Sequence, residues 1–186
     1  MSVLDEDALS LLNQGDRAWS AGRIDEAINR YQTLTERFPD RPDGYNKLGV
    51  VYAEIRDLGR ATEYFLRALE HDQEHVASLS NLGNIYLEQG EVTTAIWYYS
   101  RALEADPEYP PAHHNLAVAY RRQGNVRDSV RHLKQAERYE RSRRPLAPAR
   151  RAPASPLRLS HVFSGARWWW LLLVLAALVV LPRVIR

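Results

Sequence analysis

The sequence repeats itself every 34 residues, and this period limits the fold more than any single motif does. Three segments with a shared apolar pattern begin one period apart: YNKLGVVY at 45–52, LSNLGNIY at 79–86 and HHNLAVAY at 113–120. Three more follow at the same offset: ATEYFLRAL at 61–69, AIWYYSRAL at 95–103 and SVRHLKQA at 129–136. Periods of this length indicate arrays in which each unit packs only against its neighbours. Four units fit without insertion, at about 8–41, 42–75, 76–109 and 110–141.

The residues that recur in these units resemble the tetratricopeptide repeat family. Its pattern has an aromatic residue, Leu-Gly and Tyr, followed by Ala, a second aromatic residue, Ala and a closing Pro. The second unit matches it with Tyr45, Leu48, Gly49, Tyr52, Ala61, Phe65 and Ala68. The third unit matches it with Leu82, Gly83, Tyr86, Ala95, Tyr99, Ala102 and Pro107. Gln73 replaces the closing Pro in the second unit.

The resemblance implies an all-α solenoid, in which residues 1–141 form four helix-turn-helix repeats stacked as a right-handed superhelix. We expect eight helices near 8–21, 24–37, 42–56, 58–71, 76–89, 92–105, 110–123 and 126–141. We expect three apolar residues of the last helix to face inward: Val126, Val130 and Leu133.

The turn between the two helices of a unit carries a glycine in three units, at Gly22, Gly90 and Gly124. Glycine suits this place because the chain needs a positive φ at the helix end. Arg56 stands there in the second unit. We therefore predict an irregular turn in that unit.

In the family that the chain resembles, the first helix of each unit lines a groove that binds an extended peptide or a partner's helix. Carried over by position, the candidate partner-binding residues are Asn13, Trp19, Asn46, Val50, Asn81, Asn84, Leu87, Asn115 and Arg121. Asn13, Asn81 and Asn115 share one repeat position, which Lys47 occupies in the second unit. An Asn amide both donates and accepts, so this ladder could hold a peptide backbone. The alternative is that these amides only satisfy the local backbone or neighbouring helices.

The sequence carries no pattern that points to catalysis. There is no cysteine, which excludes thiolate metal sites and cysteine nucleophiles. No phosphate-binding Gly loop or nucleophile elbow occurs. His71 and His75 have the spacing of metal ligands on a helix, but no third ligand is placed by sequence. We therefore predict no enzyme activity, no cofactor, no metal and no small-molecule substrate.

Charge is divided unequally along the chain. Residues 1–141 contain 17 basic and 23 acidic residues, which gives a net charge of −6, whereas residues 142–186 contain eight Arg and no acid. Binding to nucleic acid requires a basic surface on the folded domain, so we expect no nucleic-acid partner. The candidate partner is an unidentified protein or peptide.

The segment after the repeats has two parts of different composition. Residues 142–167 contain four Pro and six Arg, a composition that predicts a disordered tether. Residues 168–181 are an apolar run, which, extended to Ile185, predicts one C-terminal transmembrane helix at 168–185, with candidate anchor residues Trp168, Trp169, Trp170, Leu175 and Leu181. Such a helix is about 27 Å long, slightly short of the roughly 30 Å hydrocarbon core. The alternative is a re-entrant or interfacial segment.

Charge and composition also suggest how the anchor is oriented. Six Arg precede the apolar run and two follow it, which by the positive-inside rule places the repeats in the cytoplasm. Arg strongly outnumbers Lys, which weakly favours a bacterium and hence its inner membrane. We therefore predict a tail-anchored adaptor that assembles a membrane complex and binds the lipid bilayer through its C-terminal helix. The alternatives are a self-associating membrane-tethered scaffold, or an auxiliary subunit of a membrane enzyme or secretion system.

Overall fold

The computed structural model describes residues 3–143, with side chains described from Asp5 onward. Within this range the regular structure is all α-helical. The helices, in chain order, are α1 Val3–Ser20, α2 Ile24–Arg37, α3 Pro42–Glu54, α4 Leu58–His71, α5 Val76–Glu88, α6 Val92–Ala105, α7 Pro110–Arg122 and α8 Val126–Arg143. They form four consecutive helix pairs, and the predicted bounds of α2, α4 and α6 are confirmed.

The second helix of each pair buries one face against the first. On α2 the buried residues are Ala27, Tyr31 and Leu34, whose spacing of four and three residues places them on one side of a helix. The same positions are buried on α4 and α6, where they are Ala61, Phe65, Ala68, Ala95, Tyr99 and Ala102.

Glycines of the first helices allow the two helices of a pair to approach closely. In the third unit, a Cβ built on Gly83 would lie 2.5 Å from Cε1 of Tyr99. Gly15 faces Tyr31, and Gly49 faces Phe65, in the same way. Each of these aromatic rings therefore lies directly on the helix backbone opposite, in space that a side chain would occupy.

The turns within the four units share one geometry. Gly22, Gly90 and Gly124 have φ values of 73°, 86° and 85°, and Arg56 has a φ of 67°. In the second unit the amide of Asp57 donates to the carbonyl of Tyr52 at 2.9 Å, and equivalent bonds close the other turns. The predicted irregular turn is therefore wrong, because Arg56 adopts the left-handed conformation that glycine adopts elsewhere.

Stacked aromatic rings recur within units two to four. Tyr52 stacks on Tyr64 with ring centroids 5.3 Å apart, and Tyr86 stacks on Tyr98 at 5.2 Å. At the same repeat position Tyr120 stacks on a histidine at 5.6 Å. These pairs join the end of each first helix to the second helix of its own unit.

The first helices lie closer to one another than the second helices do. Within residues 3–143, α3 contacts α5 and α5 contacts α7 directly, in addition to the contacts between consecutive helices. The first helices therefore form the inner side of the stack, and the face that they share is the groove discussed below.

The residues that α8 buries are not those expected from the sequence. Val126 and Val130 are 65% and 44% exposed, whereas the buried residues of this helix are Ser129, His132 and Ala136. The expectation that Val126 and Val130 face inward is wrong. Their counterparts on α6, Val92 and Ile96, pack against a core cluster that includes Leu116 of the next unit. No fifth unit follows α8 in the part of the chain that the structure describes.

The end of the repeat region also differs slightly from the prediction. Helix α8 continues to Arg143, so the first two residues assigned to the 142–167 tether are helical. None of the helices in residues 3–143 is both long and apolar enough to span a membrane. The rest of the predicted tether and the predicted anchor at 168–185 lie outside the described residues.

Candidate functional site

A cleft in the groove lies between the second and third units. It has a volume of about 150 Å³, and its lining includes the predicted residues Val50, Asn81 and Asn84. Phe65 contributes to its floor, and Glu54 is part of its wall. Stacking of the units thus brings together residues of three helices, α3, α4 and α5, at one place on the inner face.

Asn46 and Leu87 are not available to a ligand. Asn46 is 7% exposed, and its Nδ2 atom donates a 3.0 Å hydrogen bond to the Ser78 hydroxyl of the next unit. Leu87 is 8% exposed and belongs to the core between units three and four. Neither is a candidate for partner binding, because their side chains hold neighbouring units together.

Asn84 and Asn115 form one hydrogen-bonded network with Tyr99. The Tyr99 hydroxyl donates to Oδ1 of Asn84 at 2.7 Å, and Nδ2 of Asn115 donates to the same oxygen at 2.8 Å. The Asn115 amide therefore acts between helices, as the second interpretation of the ladder expected. Asn84 is exposed, and its side-chain oxygen accepts both bonds of the network.

The first and second units carry the same network with charged residues. The Tyr31 hydroxyl donates to Asp16 Oδ1 at 2.7 Å, and the Lys47 ammonium lies 2.8 Å from the same atom. Partial burial acts to raise the pKa of Asp16, but the hydrogen bonds from Lys47 and Tyr31 prevail and hold it below its ordinary value. Lys47, which interrupts the ladder of asparagines, is thus half of an ion pair.

The remaining predicted residues lie towards the two ends of the groove. Asn13 is exposed beside Asp16, and Trp19 is half-buried against the core of the first two units. At the other end Arg121 is exposed. Its neighbour Arg122 donates to the Leu87 carbonyl at 2.6 Å and so satisfies the end of α5.

No group of three or more metal-ligand side chains is found within the described residues. His71 stacks on Tyr45, with ring centroids 5.1 Å apart. His75 accepts a 3.3 Å hydrogen bond from the Ser78 amide at the start of α5. The two histidines therefore act in packing and helix capping, on different neighbours.

The sequence pattern did not predict the two glutamates of the cleft or the two polar networks of the groove. Glu54 and Glu88 lie on the cleft wall, and Glu88 directly follows Leu87, a predicted groove residue. Asp16, Tyr31 and Lys47 recur two periods later as Asn84, Tyr99 and Asn115. That recurrence of polar residue types was the signal for a network.

Solved structures share this fold at low sequence identity. A crystal structure of MamA is 22% identical with a TM-score of 0.61, over 73% of this chain and 79% of that one. PilF of Pseudomonas aeruginosa is 21% identical with a TM-score of 0.69, over 75% and 64%. The first TPR of Spaghetti (RPAP3), solved bound to the HSP90 peptide SRMEEVD, is 21% identical with a TM-score of 0.58, over 64% and 94%. These likenesses establish the fold alone.

The sequence also matches models of one protein family along most of its length. Three models described as tetratricopeptide repeat match residues 12–72, 64–96 and 112–145, and one described as TPR repeat matches residues 83–124. The search of curated proteins found no match to the chain. The matched segments overlap from residue 12 to residue 145 and thus extend from the middle of α1 past the end of α8. The chain is therefore a tetratricopeptide repeat protein.

Proposed function

We propose that this protein is a membrane-anchored adaptor that binds a protein or peptide in the groove of its repeats. The observation that carries the proposal is the cleft between units two and three. There Asn81 is half-buried, lines the cleft beside Val50, and forms no side-chain hydrogen bond within residues 5–143. An amide placed in this way can donate to one backbone group of a bound peptide and accept from another.

Peptide binding in the groove is supported by one solved relative, the RPAP3 domain bound to an HSP90 peptide. A clamp for the terminal carboxylate of such a peptide is not expected here. The groove positions that would carry basic residues in such relatives are Leu12, Asp16, Ser80 and Asn84. None is basic, so we expect an internal segment of the partner to bind.

The sequence of residues 168–185 supports membrane attachment. Three consecutive Trp favour the boundary between water and lipid, and the apolar residues that follow are suited to the hydrocarbon core. The Arg of 142–167 favour a cytoplasmic location for the repeats, at the inner membrane of a bacterium. Attachment raises the effective concentration of the groove for partners at the bilayer. We expect no enzyme activity, cofactor, nucleic-acid partner or small-molecule substrate.

Self-association into a membrane-tethered scaffold is the second candidate function. It is favoured by the exposed Val126 and Val130 on α8, which lie where the third unit packs Val92 and Ile96 against the next unit. A second copy seated on this face would cover them. The third candidate, an auxiliary subunit of a membrane enzyme or secretion system, shares the adaptor's groove and differs only in the partner.

Deletion of residues 165–186 tests membrane attachment. We expect the full chain in the membrane fraction and the shortened chain in the soluble fraction after cell lysis. The shortened chain should keep the helical circular dichroism of the repeats, which shows that its release is not caused by misfolding. Persistent membrane association of the shortened chain would refute the anchor.

A crosslinked pull-down of the full chain from detergent-solubilised membranes tests the adaptor. We expect a discrete partner that is lost with Asn81→Ala and kept with Asn29→Ala, the matched change on the exposed part of α2. Recovery of only the protein itself with both variants would favour the scaffold. In that case Val130→Asp should abolish the self-association, as measured by sedimentation.

A further inference from the structure

One polar network occurs twice along the groove and is missing between units two and three. Asp16, Tyr31 and Lys47 form it between units one and two. Asn84, Tyr99 and Asn115 form it between units three and four. Between units two and three, the same repeat positions are occupied by Val50, Phe65 and Asn81. Because Val50 and Phe65 have no polar group, no network forms and the space remains as the 150 Å³ cleft.

The cleft combines an apolar floor with a polar wall. Val50 and Phe65 provide the floor, together with Leu58 at the start of α4. The wall is formed by Asn81 and two carboxylates, Glu54 and Glu88. A cavity of about 150 Å³ holds a group the size of benzene, which corresponds to one side chain of a partner.

The charge at the cleft is not balanced by the chain itself. Glu88 forms an ion pair with Arg56. Glu54 is exposed and forms no ion pair within residues 5–143. It lies one helical turn after Val50 on α3, so its carboxylate is at the edge of the apolar floor. The cleft therefore has a place for one positive charge next to a place for apolar surface.

We propose that this cleft is a subsite for an arginine or lysine side chain in the partner peptide. The aliphatic stem of such a side chain packs on Val50 and Leu58, above the buried Phe65 ring, and its charged end meets the Glu54 carboxylate. Long basic side chains bury their stems and keep their charge at a polar edge in this way. The Asn81 amide then faces the backbone of the same residue. The inference rests on the proposed peptide-binding function and adds the chemistry of one anchor residue.

Selection of random displayed dodecapeptides on the full chain in detergent micelles tests the proposal. We expect peptides selected on the wild type to share an Arg or Lys at one position. Glu54→Lys should replace this preference with Asp or Glu, because the new charge attracts the opposite sign. Glu36→Lys, an equal change on the exposed face of α2, should leave the preference unchanged.

Binding measurements extend the test to a single ligand. The best wild-type peptide should bind Glu54→Lys at least about tenfold more weakly, and added salt should reduce this difference, because it screens both the attraction to Glu54 and the repulsion by the introduced charge. Asn81→Ala should lower the affinity for the same peptide without changing the preference for Arg or Lys at the anchor position. Glu54 is exposed, and Asn81 forms no side-chain hydrogen bond within residues 5–143, so both sites tolerate substitution, and unchanged helical circular dichroism verifies the fold.

The contrary outcomes separate this inference from the function on which it rests. If peptides are selected with an aliphatic or acidic anchor, or if Glu54→Lys retains the basic preference, the basic-anchor subsite is refuted while the peptide-binding groove stands. If no peptide is enriched on any variant, the peptide-binding function and the subsite are both refuted.

Discussion

The Tyr99 hydroxyl donates a 2.7 Å hydrogen bond to Oδ1 of Asn84, so a residue of the candidate groove also belongs to the framework of the repeats. The ring of Tyr99 is fully buried, and its hydroxyl reaches the groove from beneath. Tyr31 and Asp16 repeat the relationship at the same distance. Groove residues at this position therefore affect both stability and binding, and experiments must separate the two effects.

Asn84→Ala is expected to lower the free energy of unfolding by about 1–2 kcal/mol, because the Tyr99 hydroxyl loses its acceptor. Asn81→Ala, which breaks no such bond, is expected to change it by less than about 0.5 kcal/mol. Adding Tyr99→Phe to Asn84→Ala should recover part of the loss. Urea unfolding of the four proteins measures these differences. Equal losses for Asn81→Ala and Asn84→Ala would contradict the network.

Gly83→Ala is expected to destabilise the third unit by about 1–3 kcal/mol, because the added methyl group overlaps the Tyr99 ring and forces a shift. Gly59→Ala is the matched control. Its Cβ would meet only Asp57 Oδ1 at 3.7 Å, and alanine favours the helix by about 0.5–1 kcal/mol. Thermal unfolding should thus show a lower midpoint temperature for Gly83→Ala and a higher one for Gly59→Ala. A similar effect of both substitutions would refute the close approach.

Arg56→Gly is expected to be about 1 kcal/mol more stable than Arg56→Ala, because only glycine adopts a φ of 67° without strain. Both variants lose the exposed ion pair with Glu88, which contributes at most about 1 kcal/mol. Comparing them therefore isolates the backbone conformation. Equal stability in chemical denaturation would show that the turn carries no strain.

The fourth unit is expected to lose stability in weak acid because of a buried histidine pair. Nδ1 of His113 lies 2.9 Å from Nδ1 of His132, and Nε2 of His113 lies 2.9 Å from the carbonyl of Pro107. A carbonyl only accepts, so His113 donates to it through Nε2 and its Nδ1 atom accepts from His132 in the neutral pair. This arrangement uses neutral rings, one of each tautomer.

Burial is the main cause that lowers the pKa of His132 to about 4, and the charges of His113 and Arg131 contribute smaller amounts in the same direction. The Asp128 carboxylate acts in the opposite direction and raises this pKa. In the unfolded chain the pKa of histidine is about 6.5. The unfolded state therefore binds the proton first, and the stabilisation present above pH 6.5 is lost as the pH falls towards 4. Between pH 7 and 4.5 this loss amounts to about 2 kcal/mol.

His132→Phe is expected to remove most of that pH dependence while keeping the ring stacked on Tyr120. The measurement is urea unfolding of the full chain at pH 7 and at pH 4.5. His114→Phe, on the exposed neighbour of His113, should retain the dependence of the wild type. If His132→Phe loses as much stability in acid as the wild type does, the pair is not the titrating element.

Local sequence determined most of the helix bounds and the three glycine turns, but not the turn at Arg56. Residues 24–37, 58–71 and 92–105 were predicted with the bounds observed, because amphipathic spacing and turn residues act within a few positions of the chain. Helix α1 begins earlier than predicted, at Val3. Ion pairs from Asp5 to Arg41 and from Asp7 to Arg37 hold the beginning of this helix, and such long-range contacts are not visible in a local pattern.

Only the stacking of units decided which asparagines are free to bind. Asn46 and Asn115 donate to partners 32 and 31 residues away, which the repeats bring within hydrogen-bonding distance. Asn81 has an apolar residue, Val50, at the matching position and stays unbonded within residues 5–143. The period of the sequence therefore determined the scaffold. The function of each polar side chain depends on the residue that the neighbouring unit places opposite it, and that was decided by the tertiary structure.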